Sequence, residues 1–149
     1  MYKRKLQTKL SAAMIAIAVG AAGGAPASAE TLTVHLKNVR SSKGAIQLDL
    51  YTPNRKRAGK KRVAARQGDF LVQFDEIPAG VYGVYVYHDE NSNGRLDTGG
   101  MLKLPIEGYA FSNDAKATFG PPSIKDLSVT LPKGGGATTN ATMHYRRGK

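Results

Sequence analysis

Alternation of apolar and polar residues marks most of this chain as strand. Residues 31–37 alternate so that Leu32, Val34 and Leu36 share one face, and 45–51 alternate so that Ile46, Leu48 and Leu50 do the same. A period of two puts successive side chains on opposite faces of a sheet, so each segment predicts a half-buried strand. Further strands are expected over 70–75, 81–88, 124–131 and 137–145, and no stretch after residue 30 carries a long helical period. Gly, Pro, Asn and Asp punctuate these runs, at Ser41–Gly44, Pro78–Gly80 and Gly134–Gly136. Short strands closed by turns at this spacing predict an all-β fold, an antiparallel β-sandwich of six to seven strands. Residues 102–122 break the pattern and predict a long ordered loop folded over the end of the sandwich.

The first 29 residues read differently. Lys3, Arg4, Lys5 and Lys9 precede an apolar run from Leu10 to Ala22, and Ala27-Ser28-Ala29 has the small-x-small form of a cleavage site. This is the layout of an export signal, its apolar run too short for a comfortable membrane span. A single mature domain over 30–149, periplasmic or secreted, is expected. The chain has no Cys, which excludes disulfides, thiolate metal sites and a lipid-modified cysteine. Four of the 22 Lys and Arg lie in the signal, leaving 18 against 11 acidic residues, a net +7. Much of that excess is local: Arg55, Lys56, Arg57, Lys60, Lys61, Arg62 and Arg66 occur within twelve positions without an acid among them. Read as a loop, this run is either a solvated connector or a surface attracted to anionic lipid head groups or acidic polysaccharide. No aromatics interleave with the cations, so nucleic acid is not expected as a partner.

The strand 81–88 runs into Asp89-Glu-Asn-Ser-Asn-Gly-Arg-Leu-Asp97. Oxygen-bearing side chains at Asp89, Asn91, Asn93 and Asp97, with Gly94 at the sharp turn and the carbonyl of Arg95 at the seventh position, follow the ladder of a calcium loop. Calcium prefers six to eight hard oxygens, which Asp and Asn supply. The twelfth position, where a helix-flanked calcium hand carries a bidentate Glu, is Gly100; Glu107 is the nearest carboxylate to complete the shell. The competing reading is a plain turn after a strand. His35, His88 and His144 have no His or Cys neighbours at ligand spacing and are expected to be structural or solvent-facing. There is no G-x-S-x-G elbow and no Cys nucleophile, so a hydrolase is the least supported alternative.

Two stretches together, His88 to Asp97 and Pro105 to Asn113, resemble the hallmark of the exported bacterial family called domain of unknown function 2141. The matching positions are Gly80, Tyr82, Asp89, Asn91, Asn93, Gly94, Asp97, Pro105, Glu107, Gly108, Tyr109, Phe111, Ser112 and Asn113, with Ala110 in place of a glycine. The resemblance extends from Thr31 to about Leu131. It implies a transthyretin-like or related β-sandwich, the alternative being an Ig-like one, and it implies no activity. The expectation is a calcium-binding module with a binding or structural role at the cell envelope. The second reading is a polyanion- or lipid-binding protein working through Arg55, Lys56, Arg57, Lys60, Lys61 and Arg62.

Overall fold

The alternating segments sort their side chains as the pattern requires. Leu32, Val34 and Leu36 on one strand, and Ile46, Leu48 and Leu50 on another, are fully buried and meet in one core. The computed structural model describes residues 29–146. Residues 1–28 of the expected export signal lie outside this range, and Ala29 opens the first strand.

Two sheets face each other across that core. One has three strands in the order β10 (Gly136–Thr142), β1 (Ala29–Val39), β4 (Gly68–Pro78). The other runs β3 (Arg57–Ala64), β2 (Ala45–Tyr51), β5 (Gly80–Asp89), β8 (Gly108–Phe111), with β9 (Val129–Leu131) also paired to β5. Pairing is antiparallel throughout both sheets except between β1 and β10, which run parallel. A two-residue-per-strand hairpin, β6 (Thr98–Gly99) and β7 (Leu104–Pro105), stands apart from both. The all-β sandwich is therefore as expected, with more strands than the sequence pattern predicted.

Three differences have physical causes. The basic run is not a loop: Arg57 to Ala64 form β3, an edge strand hydrogen-bonded to β2 along its length. Its cations stay hydrated on an outer face, except Lys61, which shares the inward face with Leu48. The Lys61 amine reaches the carbonyl of Gln73 and lies 3.9 Å from Asp75, closing the two sheet edges on each other. The long segment 102–122 is also not wholly a loop, since Gly108–Phe111 supplies the fourth strand beside β5. Finally, Ile124–Leu127 forms one helical turn (α1) where a strand was expected. Ser123 caps it, its Oγ accepting from the Asp126 N–H at 3.3 Å and donating to Asp126 Oδ2 at 2.8 Å, a reciprocal arrangement that favours a helix start. Among the described residues, no helix is long and apolar enough to cross a membrane.

Candidate metal centre and an adjacent cleft

β5 delivers the loop. Tyr82, Val84, Val86 and His88 face the core, and the strand ends at Asp89, which is fully buried. A buried carboxylate requires hydrogen bonds, and Asp89 obtains them from the loop that follows it. Its Oδ1 accepts from the Asn93 N–H at 2.9 Å, and its Oδ2 from the Gly94 N–H at 2.9 Å and from Gln47 Nε2 at 3.3 Å. The chain can fold back this tightly because Gly94 takes φ +80°. Gly44 at φ +65° allows the β1–β2 turn to lie against the Asp89 carbonyl, where any Cβ would collide with that oxygen.

Glu107 does reach back to the loop. It is 6 % exposed, and its Oε1 accepts from the Glu90 N–H at 3.1 Å while its Oε2 accepts from the Asp97 N–H at 3.0 Å. One carboxylate thus pins both ends of the loop through backbone donors. Asp89 and Glu107 are the pegs of a cradle, and the side chains on its rim are Asn91, Asn93 and Asp97. Asn91 Nδ2 lies 2.6 Å from Asp97 Oδ2, and Asn93 Nδ2 lies 2.9 and 2.8 Å from the two Asp97 oxygens. These amides, Asn93 first and then Asn91, hold the Asp97 carboxyl below the usual carboxylate range. Arg95 turns its side chain towards Asp97, with Nε 3.4 Å from Oδ1.

Next to the cradle, Arg40 Nε donates to Glu90 Oε1 at 3.0 Å, its Nη2 pairs with Oε2, and Ser41 Oγ donates to Oε1 at 2.9 Å. The Arg40 guanidinium, with Ser41 behind it, lowers the Glu90 pKa. These groups with Lys43, Asn91 and Asp97 border an open recess of about 630 Å³. His88 has both ring nitrogens engaged, Nε2 2.7 Å from the Lys43 carbonyl and Nδ1 2.8 Å from the Tyr145 hydroxyl. The carbonyl can only accept, so Nε2 carries a proton and donates to it. Among the described residues, no three His, Cys, Asp or Glu converge as a metal-ligating group.

The donor chemistry fits a hard cation at the rim rather than deep in the cradle. Asn91, Asn93 and Asp97 lie close enough to share one ion at the 2.3–2.6 Å oxygen distances of calcium. Asn91 Oδ1 accepts from the Asn93 N–H and Asn93 Oδ1 from the Arg95 N–H, both at 3.0 Å, and each oxygen keeps a second lone pair for an ion. Asp89 and Glu107 are committed to backbone donors, each with lone pairs to spare.

On the other face of β2, β5 and β8 lies a feature absent from the sequence reading. Tyr51, Tyr85, Tyr87, Tyr109 and Phe111 occupy the outward positions of three adjacent strands and floor a cleft of about 800 Å³. Leu96, Leu102, Leu104 and Phe119 wall it, carried by the loop after β5, the β6–β7 hairpin and the segment after the 3-10 turn at Ser112–Asp114. Burial raises the pKa of Tyr85 and of Tyr87, so both stay neutral phenols. The sequence did hold a trace of this floor, in the alternate tyrosines at 85 and 87 and the aromatic pair at 109 and 111.

Fold and site together define an all-β sandwich with a carboxylate-pegged loop at one strand end and an aromatic cleft on one sheet. The chain belongs to the bacterial family described as uncharacterized protein conserved in bacteria (DUF2141), whose model matches residues 34–140. That span includes both the loop and the cleft floor. No curated protein and no solved structure matches the chain.

Proposed function

We propose that this protein is an exported module that binds calcium at the loop after β5 and serves a binding or structural role at the cell envelope rather than catalysing a reaction. The observation that carries the reading is the convergence of Asn91, Asn93 and Asp97 on the rim of a cradle whose backbone is already pinned by Asp89 and Glu107. The Asp97 carboxylate, the two amide oxygens and the Arg95 carbonyl would hold the ion. Calcium supplies fixed positive charge that draws these oxygens together, and the pegs remove much of the ordering cost of binding. Sites of extracellular modules bind at about 0.1–1 mM, so an exported location suits a loop with few carboxylates.

The test is a thermal scan of residues 30–149 with calcium and with chelator. A ligand that binds only the folded state at ten times its Kd contributes about 1.4 kcal/mol, a rise of roughly 3–6 °C in midpoint for a domain of this size. Asp97→Asn should remove the rise, so that its scans with calcium and with chelator superimpose. Superimposable scans for the wild-type protein would end the calcium reading.

A further inference from the structure

The cleft on the outer face of the β3–β2–β5–β8 sheet is unusual in what it leaves uncovered. Soluble domains rarely expose contiguous apolar surface without use for it, yet Leu102, Leu104 and Phe119 stand largely exposed around this opening, with Met101 exposed next in the chain. At about 800 Å³ it falls within the roughly 300–1,000 Å³ range of small-molecule sites. Its floor narrows the choice of occupant. Tyr51 meets Tyr85 edge-on at 5.1 Å and 72°, Tyr85 meets Phe111 at 5.3 Å and 86°, and Phe111 meets Tyr109 at 5.7 Å and 60°. Rings locked edge to face present a corrugated surface rather than parallel flat faces. Sugars and bases stack on flat faces; a flexible hydrocarbon chain follows corrugation.

Most of the positive charge near the cleft stands on β3 and the turn before it, with Lys103 on the hairpin wall. β3 borders the β2 margin of the cleft and shares its face, with Lys60 opposite Asp49 and Arg57 opposite Tyr51. Asp49, the acid on the cleft wall, is already paired with Arg57 at 3.5 Å. Arg55 lies near enough to Tyr85 to act on its hydroxyl. Of the basic run, Arg57 and Lys60 therefore stand on the strand beside an apolar slot whose own lining carries one cation, Lys103. An apolar trough with cations along one edge complements a molecule with a hydrocarbon body and an anionic head.

We infer that this cleft is a binding site for a single-chain anionic amphiphile, its chain laid over Tyr85 and Phe111 beneath Leu102 and Leu104, its head at Arg55 and Lys60. This goes beyond the calcium reading and does not depend on it.

The experiment is calorimetric titration of residues 30–149, in chelator, with octanoate, decanoate and dodecanoate below their micellar concentrations, and with decyl maltoside as a neutral probe of matched chain. Saturable one-to-one binding is expected, tightening about fourfold per added methylene, the factor that corresponds to about 0.8 kcal/mol per buried CH₂. Decyl maltoside should bind at least tenfold more weakly than decanoate. Leu102→Ser with Leu104→Ser should weaken decanoate at least tenfold without lowering the thermal midpoint, since both side chains are exposed. Lys60→Gln with Arg55→Asn should abolish the preference for decanoate over decyl maltoside while keeping the dependence on chain length. Affinity indifferent to chain length, uptake without saturation, or no binding of dodecanoate would overturn the assignment. So would binding to anionic vesicles alone, lost on Met101→Ser with Phe119→Ser, which would make the exposed rim a membrane-insertion edge. Because every arm is run in chelator, a negative result here leaves the calcium reading untouched.

Discussion

Replacing Glu107 by Gln separates a structural peg from a metal ligand. The wild-type carboxylate accepts from two backbone N–H groups, of Glu90 at 3.1 Å and of Asp97 at 3.0 Å, at a site almost closed to water. Gln offers one carbonyl oxygen to one donor and turns an NH₂ group towards the other, so one N–H loses its acceptor and faces another donor. Hydrogen bonds to charged groups contribute about 1.5–3 kcal/mol, and an orphaned buried donor costs about 1–3 kcal/mol. The remaining bond weakens as well, since it is no longer charge-assisted. A net loss of about 2–3 kcal/mol is expected, which corresponds to a midpoint lower by roughly 4–13 °C for a domain of this length. Urea unfolding followed by tyrosine fluorescence measures the loss. Hydrogen exchange should show the Glu90 and Asp97 amides accelerated more than those of β1. The decisive condition is chelator: a peg destabilises on removal whether or not calcium is present. If Glu107→Gln matches wild type within 0.5 kcal/mol in chelator and differs only in calcium, the carboxylate is a ligand and the peg argument fails.

Gly44→Ala should cost at least about 2 kcal/mol, because it combines φ +65° with a Cβ directed at the Asp89 carbonyl; Gly68→Ala, at φ +93° in open space, should cost about half as much in the same urea assay. The Arg40–Glu90 pair predicts a pH dependence. The folded-state pKa of Glu90 is lowered, so its contribution is complete above the ordinary Glu value near 4.3 and disappears as pH falls below it. The stability difference between wild type and Glu90→Gln, at most about 1 kcal/mol for so exposed a pair, should close between roughly pH 5 and pH 3, and a constant difference would refute the assignment. Neutralising Arg55, Lys56, Lys60 and Arg62 together should alter stability by no more than about 0.5 kcal/mol per site, whereas Lys61→Gln should loosen the contact between the β3 and β4 edges and be detected by faster exchange along β3.

Local pattern made most of the fold legible. Alternation fixed the inward faces of β1 and β2 because burial on one side imposes a period of two, and Leu32, Val34, Leu36, Ile46, Leu48 and Leu50 obey it. It failed at β3 for the converse reason. An edge strand whose outer face is wet needs few apolar residues, and Gly59, Lys61 and Val63 are enough on the inner side of Arg57–Ala64. The turn at Ile124–Leu127 was missed because the apolar residues of 124–131 also suit a strand, and the signal that decides it, Ser123 with Asp126, is a cap rather than a period. At the loop, spacing identified the rim residues and singled out Glu107. It could not show that Glu107 and Asp89 spend their oxygens on backbone N–H groups, since those bonds depend on where β8 docks. The aromatic floor was hidden for the same reason: each ring is an ordinary outward residue of its own strand until β2, β5 and β8 are set side by side.

Loop and cleft are built on the same residues. The Tyr87 hydroxyl, from the cleft floor, donates to the Gly94 carbonyl at the turn of the loop at 2.9 Å. The Asp97 carbonyl accepts from the Ile106 N–H at 2.9 Å, and this bond closes the base of the hairpin that walls the cleft. Asp97 therefore faces the rim with its carboxylate and anchors the hairpin with its backbone, while Glu107 holds its N–H. The loop spacing and the P-x-E-G-Y segment belong together on these grounds: the first supplies the rim, and the second supplies both the peg that fixes it and the strand that floors the cleft.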